Sequence, residues 1–258
     1  LLLAIDVGNT HTVLGYIQGH KILNTWRVST HPICTADEFR IKVQMMLSFS
    51  GIEWPKIQDI VVSSVVPAAS RMIEAAFRGN HLHLIQSSWP FSFEIHASPP
   101  QRVGADRLVN AEAVVREYGF PSIIVDSGTA TTICAISTSQ EGKPAYLGGA
   151  IIPGIELAME SLARSTAQLF TIDLTPPEKA IGTNTTDALR SGLLLGYASM
   201  IDGMVKRFKE ELGKEELPVI ATGGISNLMR GLTRELTVFD GELTLKGIAY
   251  LYESFRQR

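Results

Sequence analysis

Residues 1–10, Leu-Leu-Leu-Ala-Ile-Asp-Val-Gly-Asn-Thr, recur in altered form at 122–132 as Ser-Ile-Ile-Val-Asp-Ser-Gly-Thr-Ala-Thr-Thr. In each copy an apolar run of strand character delivers an aspartate (Asp6, Asp126), and a glycine follows two residues later (Gly8, Gly128). Hydroxyl residues come next (Thr10 and Thr12; Thr129, Thr131 and Thr132), and a second apolar run returns the chain. Such a segment reads as a tight hairpin whose glycine lets the backbone approach a ligand and whose N–H groups and hydroxyls donate to anionic oxygens. The carboxylate beside it can hold a cation, so phosphate plus magnesium suits the pattern. One such turn is commonplace, because Asp and Gly are ordinary turn formers. Two copies, both behind buried-type strands and both trailed by threonines, point to a duplicated phosphate-binding architecture.

The elements around the two hairpins repeat as well. Strand-like runs at 1–6, 11–17 and 21–28 form a meander, with Gln18-Gly19-His20 as one of its turns. A helix is predicted over 36–49, capped by Thr35, with Asp37 and Glu38 in its first turn and Phe39, Val43, Met46 and Leu47 on one face. A strand at 59–64, a helix from Pro67 to about Phe77 and a strand over 81–85 complete a βββαβαβ order. Later, strands at 122–126, 130–137 and 144–150 precede a helix near Pro153, a helical region over 184–212, a strand at 217–222, a helix, and a final strand and helix. The expected fold is α/β: two duplicated domains, 1–112 and 113–258, each a mixed sheet flanked by helices, with the hairpins facing a cleft between them.

Composition removes several classes of function. With 45% hydrophobic and 19% charged residues in 258, the chain has enough apolar material for two modest cores. A net charge of -3 and the lack of any long Lys/Arg run leave no footprint for nucleic acid. The two cysteines, Cys34 and Cys134, make neither a disulfide framework nor a zinc motif, which points to a cytoplasmic, reducing compartment. The opening Leu-Leu-Leu-Ala-Ile is too short for a signal-peptide core and runs straight into Asp6, and the uncharged stretch 191–201 falls short of the roughly 20 residues that cross a bilayer. No membrane association is expected.

Walker, dinucleotide-fingerprint, nucleophile-elbow and His-Glu-x-x-His motifs are all missing from the sequence. His81-x-His83 has no acidic or cysteine companion close by in sequence and reads as ordinary edge-strand histidines. Ser98-Pro-Pro-Gln-Arg-Val-Gly104 fixes a defined approach to a helix opening at Ala105-Asp106-Arg107, where free N–H groups favour an anion. Asp106 there is either the helix cap or a functional carboxylate. Thr222-Gly223-Gly224 ends another buried run and is either a plain strand-to-helix turn or a place where a base or ribose meets the backbone.

Taken together, Asp6-Val-Gly-Asn-Thr10, Ser63-Ser-Val-Val-Pro67, Val103-Gly-Ala-Asp-Arg107, Asp126-Ser-Gly-Thr-Ala-Thr-Thr132, Gly148-Gly-Ala-Ile-Ile-Pro-Gly154 and Thr222-Gly-Gly224 resemble the type III pantothenate kinases in order and spacing. The resemblance covers the whole chain. It implies the actin-like (ribonuclease H-like) fold shared by actin, sugar kinases and heat-shock chaperone ATPases. The implied activity is phosphorylation of the primary hydroxyl of pantothenate to 4'-phosphopantothenate with ATP, the first step towards coenzyme A.

Position by position, the resemblance implies an ATP phosphate loop over Asp6, Val7, Gly8, Asn9, Thr10, His11, Thr12 and Val13, with Asp6 near magnesium and Thr129 as a further ATP contact. Asp126 corresponds to the ligand of a monovalent cation, K+ or NH4+. Gly104, Ala105, Asp106 and Arg107 would hold pantothenate, with Asp106 as catalytic base, and Thr185 would reach pantothenate from the neighbouring subunit of a homodimer with shared active sites. Three departures accompany these correspondences. Ala97 stands in the substrate-binding stretch where the family commonly has a tyrosine, so that interaction is either missing or taken over by the neighbouring His96; Cys134 replaces an acid and Ser127 a phenylalanine. Phosphoryl transfer needs positioning, charge neutralisation and a base for the incoming hydroxyl, and Asp106, Arg107 and two phosphate loops answer to those needs. The competing readings are a non-catalytic regulator of the accessory transcription factor type, against which Asp6, Asp106 and Asp126 argue, and a phosphohydrolase, against which the Gly-Ala-Asp-Arg loop argues.

Overall fold

The computed structural model describes residues 1–166 and 168–257 and divides them into two units. The first unit contains the strands β1 (Leu2–Val7), β2 (His11–Gln18), β3 (Lys21–Ser29), β4 (Asp59–Ser64), β5 (Leu82–Leu84) and the two-residue β6 (Glu94–Ile95). Its helices are α1 (Ala36–Phe49), α2 (Pro67–Ala76) and α3 (Ala105–Glu117). The sheet order is β3-β2-β1-β4-β5, with the first three strands antiparallel and β1, β4 and β5 parallel.

β1 is buried along Leu2–Ile5 because helices cover both faces of its sheet, and alternation assigns the faces. Leu3, Ile5 and Val7 join Phe39, Val43, Leu47 and Ile73 from α1 and α2, whereas Leu2 and Ala4 join Val61 and Val109 on the opposite side. The predicted cap of α1 forms in full: Thr35 Oγ1 accepts from the Glu38 N–H at 3.3 Å, and a Glu38 carboxylate oxygen accepts from the Thr35 N–H at 2.8 Å.

The second unit repeats the plan. β7 (Ser122–Ser127), β8 (Ala130–Thr138) and β9 (Pro144–Pro153) form the meander, and β10 (Val219–Thr222) and β11 (Val238–Phe239) extend it in parallel from β7, in the order β9-β8-β7-β10-β11. The same order, with the same strand directions, therefore appears in both halves. The helices are α4 (Ile155–Ser165), α5 (Thr185–Arg190) and α6 (Gly196–Leu212), the last two joined by a π-helical turn at Ser191–Leu195. Ile123, Val125, Leu194, Ile201 and Val205 anchor this unit's core.

Two expectations need correction. The helix expected after β10 is only a 3-10 turn, Ser226–Met229, closed off by Gly231 at a φ of 83°, so the segment is too short for an α-helix. The expected division at 112/113 also shifts: the second unit covers Gly119–Gly241, and the final helix, α7 (Leu243–Arg256), belongs to the first unit. The reason is the apolar face of α7, whose Leu245, Ile248, Ala249 and Leu251 pack with Leu2, Ala4, Ile17 and Val109. Each fully buried leucine or isoleucine there is worth about 1.5–3 kcal/mol over exposure. Gly247 permits the close crossing, since a Cβ there would collide with the Val109 backbone, and the Lys246–Glu117 ion pair at 2.9 Å flanks it.

His83 has the edge-strand place expected of it in β5, and the sheet brings it an acidic companion from a distant part of the chain. Its Nε2 lies 3.2 Å from Asp59 Oδ1, and the Tyr252 hydroxyl of α7 donates to the other Asp59 oxygen. Burial raises the Asp59 pKa, but the bonds from Tyr252 and His83 outweigh it and leave the carboxyl below its ordinary value. Burial and the same carboxylate push the Tyr252 hydroxyl up to about 12. Among the described residues no helix is long and apolar enough to cross a membrane.

Candidate active site

In an open sheet with parallel strands, ligands collect beyond the carboxyl ends of those strands. In the first unit these are the ends of β1 and β4, which pair Asp6 with Ser63 and Val7 with Ser64. The hairpin from β1 into β2 closes with the Gly8 N–H donating to the His11 carbonyl at 3.0 Å. Asn9, Thr10 and His11 are exposed at its tip, whereas Val7 and Thr12 are buried. Val7 therefore belongs to the core, Val13 packs partly against the α7 side, and the loop offers ligands its tip and its backbone.

Thr30, which the sequence pattern did not single out, fixes that hairpin. Its N–H donates to the Thr10 carbonyl at 2.9 Å, its hydroxyl donates to the Gly8 carbonyl at 2.8 Å, and the same oxygen lies 2.9 Å from Thr12 Oγ1. The signal was available in outline, because a three-strand meander must bring the residue after its third strand beside the tip of its first hairpin.

α3 opens on the same unit. Gly104 is its N-cap, so Asp106 is not the cap but the second helical residue. A Cβ on Gly104 would collide with the Asp106 carboxylate, so the glycine leaves that carboxylate its place at the helix start, beside Val65 at the exit of β4. Asp106 Oδ1 accepts from the Arg107 N–H at 2.8 Å. Burial pushes the Asp106 carboxyl above its ordinary pKa, and the Arg107 N–H and guanidinium only partly oppose it.

The approach to Gly104 is tied down from within α3. Glu112, 0% exposed, accepts from the Ser92 N–H at 2.8 Å, the Ser92 hydroxyl at 3.0 Å and Arg116 Nε at 2.9 Å, so its buried charge is well satisfied. Ala97 is half-buried, and its neighbour His96 already pairs with Glu94, Nε2 to Oε2 at 2.9 Å.

The second unit builds a parallel arrangement. Asp126, the last residue but one of β7, is in register with Thr222 of β10, as Asp6 is in register with Ser63. Gly128 N–H donates to the Ala130 carbonyl at 3.3 Å, and Gly154 N–H donates to the Thr129 carbonyl at 3.0 Å, the counterpart of the Thr30 bond to Thr10. Thr129 is exposed at the hairpin tip. Behind it, the buried Thr131 hydroxyl bonds the Tyr197 hydroxyl, which α6 presents just after the π turn. Cys134 is buried in β8, 3.3 Å from the Tyr146 hydroxyl, and supplies no carboxylate. Thr185 is exposed in the first turn of α5, whose cap is Asn184, accepting from the Asp187 N–H at 2.9 Å.

Gly223 has a φ of 89°, and a Cβ there would stand 2.5 Å from Asp126 Oδ1 and 2.6 Å from the Ser127 carbonyl oxygen. Gly223→Ala should therefore cost about 1–3 kcal/mol, the usual scale for a non-glycine residue held in a sparsely populated backbone region. A thermal melt checks this; an unchanged midpoint would contradict the close approach.

Residues 2–207 match the family model described as type III pantothenate kinase. A type III pantothenate kinase of Rubrobacter xylanophilus is 42% identical over 98% of this chain and 97% of its own, and one from Halalkalibacterium halodurans is 38% identical over 98% and 99%. Among solved structures, a Campylobacter jejuni protein described as a Baf family transcriptional activator superposes with a TM-score of 0.63 over 99% of this chain and all of that one. At 19% identity, that likeness bears on the fold alone.

Proposed function

The chain belongs to the type III pantothenate kinase family, and on that premise we propose that it transfers a phosphoryl group from ATP to the primary hydroxyl of pantothenate, giving 4'-phosphopantothenate at the entry to coenzyme A synthesis. The observation that carries the reading is the start of α3, where the Asp106 carboxylate lies close against Gly104 and burial holds its pKa above the ordinary value. A general base works best with a pKa nearer the operating pH than a solvated carboxylate has. Asp106 is accordingly the group that takes the hydroxyl proton, and Gly104 to Arg107 hold the substrate, with the Arg107 guanidinium suited to the pantothenate carboxylate. The backbone of the Asp6–Val13 hairpin and the Thr10 hydroxyl at its tip, with Thr129, bind the phosphates of ATP. The regulator reading is not favoured, since relatives of about 40% identity are kinases and the activator-like structure shares only the fold.

Neither hairpin contains a lysine or arginine, so cations must offset phosphate charge. Asp6 offers a hard oxygen ligand suited to magnesium, with Ser63 beside it in register. Asp126, which occupies in the second unit the place that Asp6 occupies in the first, is the carboxylate for a monovalent cation. When bound, these ions supply electrostatic stabilisation of the transferring group; orientation and the proton are left to the chain. The enzyme acts in the cytoplasm as a homodimer in which Thr185 reaches the partner's substrate.

A coupled assay with ATP, magnesium and potassium, run with and without pantothenate, tests the reading. Phosphopantothenate should form only when all are present, whereas pantothenate-independent phosphate release would indicate a hydrolase and no turnover a regulator. Replacing potassium by sodium or a bulky organic cation should abolish most activity, and Asp126→Asn should remove the response. Equal rates in every salt would overturn the monovalent site.

A further inference from the structure

Ser63 belongs to none of the roles assigned above. It is 0% exposed, and its hydroxyl, like those of Ser122 and Ser127, has no hydrogen-bond partner among the described residues; of the three it is the one in register with Asp6. A buried polar group without a partner normally signals a water, an ion or a ligand that satisfies it. The register pairs Ser63 with Asp6 on adjacent parallel strands, so the two side chains leave the sheet on the same face. That face is the one to which Leu2, Ala4 and Val61 contribute and against which Val109 of α3 packs. Two residues beyond Ser63, Val65 meets the start of α3, where Asp106 stands.

The second unit repeats the arrangement: Asp126 is in register with Thr222, itself only 2% exposed. An aspartate at the end of the first strand with a buried hydroxyl beside it on the parallel neighbour has thus been kept in both halves, although the flanking sequences differ. Core packing alone asks for an apolar residue at such a position, as Val61 two residues earlier illustrates.

Building on the kinase reading, we propose that Ser63 is a positioning residue that holds, through its hydroxyl, a water in the coordination shell of the divalent cation at Asp6. Magnesium keeps several of its waters and takes only one or two carboxylates alongside substrate phosphates, so its site needs groups that hold water as well as groups that bind metal. A serine hydroxyl both donates and accepts, and so can orient such a water while Asp6 serves as the direct ligand.

The test uses Ser63→Ala and Ser63→Cys in the full chain, the cysteine variant retaining most of the side-chain volume. Binding of Mn2+, as a spectroscopically visible stand-in, is followed by electron paramagnetic resonance with ATP present, and kcat and the half-saturating Mg2+ are measured beside the KM for pantothenate. Loss of an outer-shell partner typically costs about 10–100-fold in metal affinity or activity. Both variants should therefore bind Mn2+ about 10-fold or more weakly and need correspondingly more Mg2+, while the pantothenate KM and the thermal midpoint stay near wild type. Unchanged Mn2+ affinity in the folded variants would overturn the proposal, as would an altered pantothenate KM with normal cation affinity, which would assign Ser63 to the acceptor instead. If wild type bound Mn2+ and ATP in a Ser63-dependent way without phosphorylating pantothenate, this inference would stand and the substrate assignment would fall.

Discussion

Asp106→Asn should lower turnover by about 10²-fold or more while leaving the fold and ATP binding intact, since that is the scale on which general base catalysis contributes. Asparagine retains the oxygen that accepts the Arg107 N–H at 2.8 Å, so the first turn of α3 has no reason to rearrange. Stability gives a second readout with a defined sign. Burial raises the Asp106 pKa in the folded state, so the ionised carboxylate destabilises the native protein above that pKa, and the penalty disappears as the pH falls through it towards the unfolded value. The neutral asparagine escapes the penalty, and the variant should melt no lower than wild type at neutral pH, with any advantage fading in acid. For the same reason the acidic limb of kcat/KM in wild type should lie above the value of about 3.9 found for a solvated aspartate, and the variant should lose it. A folded variant that turns over at nearly the wild-type rate would remove Asp106 from the chemistry. A site that gives up stability for a poised base is a familiar trade.

Why the sequence displayed some of this and hid the rest follows from which contacts are local. The Asp-x-Gly hairpins were legible because a strand, a turn and a returning strand occupy a dozen residues, and the capping box at Thr35 and Glu38 spans only four. The doubling of the pattern exposed the duplicated topology. What escaped depends on distant parts of the chain meeting. The return of α7 to the first unit rests on Leu245, Ile248 and Leu251 finding Val109 and Leu2 from more than a hundred residues away, and an apolar helix face does not name its partner. Asp59 and His83 likewise look unrelated in sequence and become neighbours only through the pairing of β4 with β5. Within the candidate site the aspartates announced themselves by motif. Thr30, just past the end of β3, did not, and Ser63, although it opens the Ser-Ser-Val-Val-Pro motif, received no role until register showed what stands beside it.

Mixing two inactive chains should restore activity if each active site takes Asp106 from one subunit and Thr185 from the other. Thr185 is suited to reach a neighbour: it is exposed in the first turn of α5, and Gly182, where a Cβ would collide with the backbone of Ala188, holds the preceding segment tightly against that turn. In a two-fold dimer both sites are equivalent, so a lesion in either residue disables both. Thr185→Arg places a long cation where a small hydroxyl should meet the substrate, and it should be as inactive as Asp106→Asn. In a heterodimer of the two variants, one site collects both lesions and the other collects neither. Random pairing makes half of the dimers heterodimers with one intact site of two, so activity should recover to roughly a quarter of wild type. Sites completed within single chains predict no recovery at all, because every chain then carries a lesion. Co-expression with two affinity tags isolates the heterodimer. Should it form and stay as inactive as its parents, Thr185 serves its own chain or none, and the shared site has to be abandoned.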